Sequence, residues 1–149
     1  MKAITYLKQI EMMDAQIESD LLEITRLETL ATKTTATLGN ERVQSSGSQE
    51  KMADCVAMIV DMRNKLNEDI DKFLSLKMEA RELIANACEP DCCKLLHKRY
   101  FHYWTWEKIA FEMGYTYQWV SDGRKGLHGK ALWQLQKALD EKYTKGVEE

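Results

Sequence analysis

From residue 51 to residue 89 the chain contains neither glycine nor proline. Its apolar side chains recur there at alternating spacings of three and four: Met52, Val56, Ile59, Leu66, Ile70, Phe73, Ala80, Ile84 and Ala87. Arg63 and Lys77 take the two seam positions that complete the heptads. This period is one stripe of an α-helix, and nothing interrupts it before Pro90. At 1.5 Å per residue such a helix runs to roughly 60 Å, too long for a compact domain, so its stripe needs a partner of similar length.

A partner precedes it. Ala3, Tyr6, Ile10, Met13, Ile17, Ile24, Leu27 and Ala31 form a second stripe of the same period, interrupted at Asp20 and partly repaired by Leu21. The pattern fades in "ATKTTATLGNERVQSSGSQE", where Gly39-Asn40 offers a helix stop and Ser46 to Gln49 has capping-box spacing. A loop is expected between about residues 38 and 47. Residues 1–89 therefore read as a long antiparallel helical hairpin with coiled-coil features, and the whole chain as all-α. A plain helical bundle is the alternative, differing only in how many helices share the seam. So narrow a strip buries little area by itself, which makes the hairpin the expected place for dimerisation or partner binding.

The 149 residues fit one domain, or a small domain plus an extension. The four cysteines, Cys55, Cys88, Cys92 and Cys93, follow no secreted spacing, and the start "MKAITYLKQIEMMDAQ" has no signal-peptide pattern. With no apolar run near the ~20 residues that cross a bilayer, a soluble protein in a reducing, intracellular setting is expected, with no membrane partner. The net charge of −3 hides an asymmetry. Residues 1–90 carry 11 Lys/Arg against 16 Asp/Glu, a net of −5, whereas residues 92–139 carry 8 against 3, a net of +5.

Pro90 opens a second unit, residues 90–149, because the residue before proline is disfavoured in a helix and proline suits a first helical turn. Every aromatic side chain except Tyr6 and Phe73 lies beyond it, as suits a small domain of short helices whose core needs large side chains. Within "TWEKIAFEMGYTYQWV", Trp106, Ile109, Ala110 and Met113 share a helical face, Gly114 sits where the chain must turn, and Thr116 is a natural N-cap. A helix-turn-helix needs a small residue at the helix crossing, a glycine in the turn and an apolar anchor on the second helix. Ala110, Gly114 and Val120 supply those types at the spacing Ala-x3-Gly-x5-Val.

The run "LLHKRYFHYWTWEKIAFEMGYTYQWV", followed by "LHGKAL", resembles the C-terminal module of the RinA/ArpU-like phage transcriptional regulators of Gram-positive bacteria, itself similar to the fourth region of bacterial sigma factors. The resemblance covers about 45 residues and implies a DNA-binding activator of phage genes, the late genes in particular. It would work in the cytoplasm of the bacterial host, with double-stranded DNA and host RNA polymerase as partners. Carried over by position, Thr116 caps the recognition helix, Tyr117, Gln118, Ser121 and Asp122 face the DNA, and Val120 is the buried anchor. Gln118 can pair bidentately with adenine, Ser121 can bond base edges or phosphate, and Arg124, Lys125 and Lys130 would attract phosphate. Trp119 is expected in the core rather than as a wedge against the backbone.

One departure stands out. The family pattern has an apolar residue three positions after the valine, directly before a segment like "HGKAL", and here "GRKG" (residues 123–126) intervenes. Either the four residues extend one helix, or the two glycines end the recognition helix and a new one starts at Leu127. A helical glycine costs about 1 kcal/mol against alanine, which favours the break.

Other constellations carry less. Cys88, Cys92, Cys93, His97 and His102 lack paired zinc spacing and read as small buried thiols and packing groups, so neither a metal site nor a cofactor is expected. His128 reads as an interhelical or phosphate hydrogen-bonding group. Without a Walker loop, dinucleotide fingerprint, H-E-x-x-H or nucleophile elbow, catalysis is not expected. Two other functions remain open: a DNA-packaging adaptor of small-terminase type, which usually carries its DNA-binding unit at the N-terminus, and a helical scaffold that binds only protein.

Overall fold

The computed structural model describes residues 1–38 and 46–146. It is all-helical, with no strand among the described residues. Two long helices, α1 (Ala3–Leu38) and α2 (Ser46–Ala87), precede α3 (Pro90–Leu96), a π-helical turn (His97–Phe101), α4 (Trp106–Met113), α5 (Tyr117–Ser121) and α6 (Leu127–Lys145). The loop expected near residues 38–47 and its Gly39-Asn40 stop fall on residues 39–45, outside the described residues.

The stripes do form the seam of the long pair. Ala3, Tyr6, Ile10, Ile17 and Ile24 of α1 are buried, as are Ile59, Leu66, Phe73, Ala80 and Ile84 of α2. The pairing is antiparallel: the Cys55 thiol donates to the Leu27 carbonyl, Arg63 pairs with Glu28, and the Tyr6 hydroxyl donates to Glu79 at 3.0 Å. Two stripe residues depart from expectation. Leu21 is 48 % exposed and Val56 likewise, because each lies to one side of its helix's buried line, so Leu21 does not repair the gap at Asp20. Leu7, outside the expected stripe, is fully buried.

The chain divides into two compact units. One is residues Met13–Phe73, the middle of the helical pair, and the other joins Met1–Met12 to Leu74–Glu149. The second unit is wider than the 90–149 domain expected from the sequence. In it the Ala3 amide donates to Gln136 Oε1 at 2.7 Å and the Gln136 side-chain amide donates to the Met1 carbonyl at 3.1 Å. Lys142 of α6 pairs with Glu79 at 2.6 Å, which holds the Glu79 carboxyl below its usual range, that hydrogen bond being the main cause. The core of this unit combines Tyr6, Leu7, Ile10, Ala80 and Ile84 with Leu95, Leu96, Ile109, Val120, Ala131, Leu135 and Leu139. Burial first, then the Glu79 hydrogen bond, pushes the Tyr6 hydroxyl well above its usual range.

Proline occupies the first turn of α3, where its missing N–H would have had no partner. The elbow before it is tied to α6: the Glu89 amide donates to Gln134 Oε1 at 3.0 Å, and the Cys88 thiol points to the Ala131 carbonyl at 3.9 Å. The Cys93 thiol lies 3.2 Å from the Cys88 carbonyl and 3.3 Å from that of Ile84. All four cysteines are free thiols, and burial pushes Cys88 up to about 12 and raises Cys92 and Cys93. Among the described residues no three His, Cys, Asp or Glu side chains converge on a metal site, and no helix is long and apolar enough to cross a membrane.

Candidate nucleic-acid interface

The segment Thr105–Leu127 builds two short helices around one turn. Thr105 caps α4, its Oγ1 accepting the Lys108 amide at 3.3 Å. Ile109 and Ala110 are buried, while Trp106 and Met113 are only half-buried on the flanks of the same face. At Gly114 the backbone turns left-handed (φ 73°, ψ 25°), a conformation glycine adopts without steric cost. The turn lets the Tyr115 amide reach back to the Ala110 carbonyl at 3.0 Å, satisfying an end-of-helix acceptor. Thr116, extended at φ −75° and ψ 151°, caps α5 through the Trp119 amide at 3.2 Å. Val120 is fully buried on the inner face of α5.

The second helix is short. The α5 helix ends at Ser121, and Asp122 leaves it in an extended conformation (φ −65°, ψ 115°). Of the two readings of "GRKG", the structure takes the break. Asp122 holds the bend from both sides: Oδ1 accepts the amides of Arg124 at 2.8 Å and Lys125 at 3.2 Å, and its carbonyl accepts the Gly129 amide at 3.0 Å. These backbone hydrogen bonds lower the Asp122 pKa, chiefly that from Arg124.

The start of α6 then passes close to this bend. A Cβ at Gly126 would overlap the Trp119 carbonyl oxygen and lie 2.8 Å from Asp122 Cβ, and one at Gly129 would meet the Arg124 carbonyl oxygen and the Gly123 backbone at 2.8 Å. Gly126, just before α6, and Gly129, in its first turn, leave room for this approach.

The candidate DNA-facing residues divide by what their side chains already do. Tyr117, Gln118, Arg124 and Lys125 are exposed, and neither Arg124 nor Lys125 forms an ion pair among the described residues. Thr116 and Asp122 are exposed but cap their neighbours, and Ser121 is half-buried. Lys130 is tied to Glu89 at 2.6 Å, the main reason its pKa is raised, so its charge is largely compensated. Trp119, expected in the core, is 43 % exposed. Val120 occupies the inner position of α5, and its neighbour is turned about 100° away. Trp119 lies instead in an open cleft with Tyr115, Leu127, Glu89 and Asp91, where the Tyr115 hydroxyl donates to Asp91 at 2.6 Å.

Behind this surface sits a buried polar pair. His128 of α6 is 8 % exposed, its Nε2 shares a 2.8 Å hydrogen bond with the Tyr100 hydroxyl, and its ring lies against Trp106 with centroids 4.7 Å apart. Burial, with a smaller contribution from Arg99, lowers its pKa to about 4. The imidazole is thus neutral at pH 7 and joins helices.

Its low pKa gives an acid sensitivity of known sign. Unfolded His128 takes up a proton below its ordinary 6.5 while the folded ring resists, so its contribution is intact above that pH and is lost as pH falls toward 4. The loss should approach about 3 kcal/mol. Urea unfolding at pH 7 and pH 4.5 should show a clearly smaller pH effect for His128→Gln than for the unaltered chain. An identical pH dependence would rule out His128 as a source.

Comparison with protein-family models, with curated proteins and with solved structures finds no match to this chain.

Proposed function

We propose that this chain is a sequence-specific duplex-DNA-binding transcriptional regulator, of the kind its resemblance to RinA/ArpU-like phage activators implies. The observation that carries the reading is the turn at Gly114. It sets α5 against α4 with Val120 inward and leaves Tyr117 and Gln118 exposed, next to Arg124 and Lys125, which have no ion pair among the described residues. An exposed amide beside exposed cations is the combination that base reading with phosphate anchoring requires. Catalysis has no comparable support.

The helical pair is the dimer element in this reading, since Leu21, Leu22, Val56, Met58 and Val60 are large apolar groups left exposed on it. A second reading, a protein-docking scaffold, draws on Phe111, which is 87 % exposed on α4.

The test is a duplex selected from a random pool by the full chain. Gln118→Ala should cost roughly 1–3 kcal/mol on that duplex and flatten the preference at one base position. In footprints from the same titrations, two half-sites about one helical turn apart support the dimer, and a single half-site removes it. If no sequence is enriched, or if Gln118→Ala leaves every base preference intact, α5 is not the reading element.

A further inference from the structure

A cationic surface outside the α5 segment is built by the link between α3 and α4. The π-helical turn widens the backbone so that the His102 amide reaches the His97 carbonyl at 3.1 Å. The chain then folds back through Tyr103, a non-glycine residue at φ 58°, and the Trp104 amide closes on the Lys98 carbonyl at 2.9 Å. Arg99 braces the fold, donating from Nη1 to the Trp104 carbonyl at 2.9 Å and lying 4.5 Å from the Trp106 ring centroid. The result brings two lysines ten residues apart to the Trp104 ring, with the Lys98 ammonium 4.1 Å and the Lys108 ammonium 3.9 Å from its centroid.

Like Arg124 and Lys125, these cations differ from the two paired lysines of this unit. Lys130 and Lys142 are each matched with a carboxylate, whereas Lys98, Arg99 and Lys108 form no ion pair among the described residues, although Glu107 is adjacent in sequence. A ring face attracts an ammonium without neutralising it, so the two lysines are held in place with their charge still available to an anion. Left-handed backbone at a tyrosine and a π turn are both unfavourable and persist only where the surroundings impose them. Here they impose the position of Trp104.

We propose that Lys98 and Lys108, held on Trp104, form a second contact with the DNA backbone, separate from the α5 segment. This rests on the DNA-binding reading above and deepens it. Lys108 lies in the first turn of α4, the leading helix of the helix-turn-helix, and in that motif the leading helix crosses the phosphate backbone while the second enters the groove. With Lys130 compensated by Glu89, the phosphate attraction moves from α6 to this patch. Each lysine is assigned one phosphate and no base.

The experiment titrates the full chain and its variants with the selected duplex and a scrambled duplex of equal length, at several salt concentrations, with a thermal melt of each variant. Lys98→Ala/Lys108→Ala should weaken both duplexes alike, by about tenfold at moderate salt, and lower the salt slope by about two with base preference unchanged. Lys98→Arg/Lys108→Arg keeps the charges and should restore the slope, which a merely structural role for the lysines would not require. If the alanine variant melts early, Lys98→Gln/Lys108→Gln retains the aliphatic stems and should show the same loss of slope. Wild-type affinity and slope in a folded neutral variant would overturn the patch and leave α5 reading intact. Failure of the unaltered chain to bind any duplex would overturn the DNA reading and the patch together.

Discussion

Gly126→Ala is expected to destabilise the unit that contains α4, α5 and α6 by about 3 kcal/mol or more, with Gly129→Ala close behind. Neither effect is a matter of backbone freedom, since Gly126 sits at φ −86° and ψ −173° and Gly129 lies in the first turn of α6. Space is the limit. The methyl group at Gly126 would overlap the Trp119 carbonyl oxygen and press on Asp122, and the one at Gly129 would press on the Gly123 and Arg124 backbone at 2.8 Å.

Backbone atoms cannot rotate aside as a side-chain tip can, so α6 must withdraw from the bend. Withdrawal would break the Gly129 amide bond to the Asp122 carbonyl and uncover Leu127 and Val120, both now buried. Thermal or urea unfolding of the two variants measures the effect, with Gly123→Ala as control, because a Cβ there meets only His128 Nδ1, at 3.8 Å. Equal stability of all three variants would show that α6 does not depend on this close approach. On the DNA-binding reading, Gly126→Ala should also lose affinity more than its melting alone explains, since α5 and the Arg124–Lys125 bend would no longer hold one geometry.

How much of this was legible in sequence follows the range of the interaction. The two long helices and their buried faces were readable because heptad spacing is a local code, and so was the turn, because Gly114 and Thr116 act within their own few residues. The break at "GRKG" was readable only as the better of two options, on glycine propensity. At the break Asp122 caps the amides of residues 124 and 125, a role that the resemblance, which turns Asp122 toward DNA, does not show. The pair that Lys130 forms with Glu89 is not legible locally, because the two are 41 residues apart. Hydrophobicity alone sends Trp119 to the core, but Val120 takes the inner position and its neighbour is turned out. Lys98 and Lys108 were visible as charge, but nothing local shows that a left-handed Tyr103 brings both to one ring. The boundary at Pro90 is a local signal as well, and it does not mark where the packing ends.

That last difference has a large measurable consequence. A fragment of residues 90–149 is expected to show no cooperative unfolding and no duplex binding, although it contains α3 through α6. Cutting at Pro90 removes Tyr6, Leu7, Ile10, Ala80 and Ile84, all buried in the same compact unit. It also removes the Gln136 bonds to Met1 and Ala3 and the Lys142 pair with Glu79. Burial of a large aliphatic side chain stabilises by about 1.5–3 kcal/mol, so losing Leu7, Ile10 and Ile84 alone is comparable with the roughly 5–15 kcal/mol net stability of a typical domain. The complementary chain keeps residues 1–12 and 74–149 and replaces 13–73 by a short Gly/Ser linker. Packed helix axes lie about 8–10 Å apart, which a linker of about five residues spans. This shortened chain should melt cooperatively and retain the pH dependence assigned to His128. It should also bind duplex more weakly than the full chain if the excised helices are the dimer element. Circular dichroism melts of the two chains decide between the boundaries: a cooperative transition in residues 90–149 matching that of the shortened chain would mean that the ends of α1 and α2 are dispensable and that the unit begins at Pro90 after all.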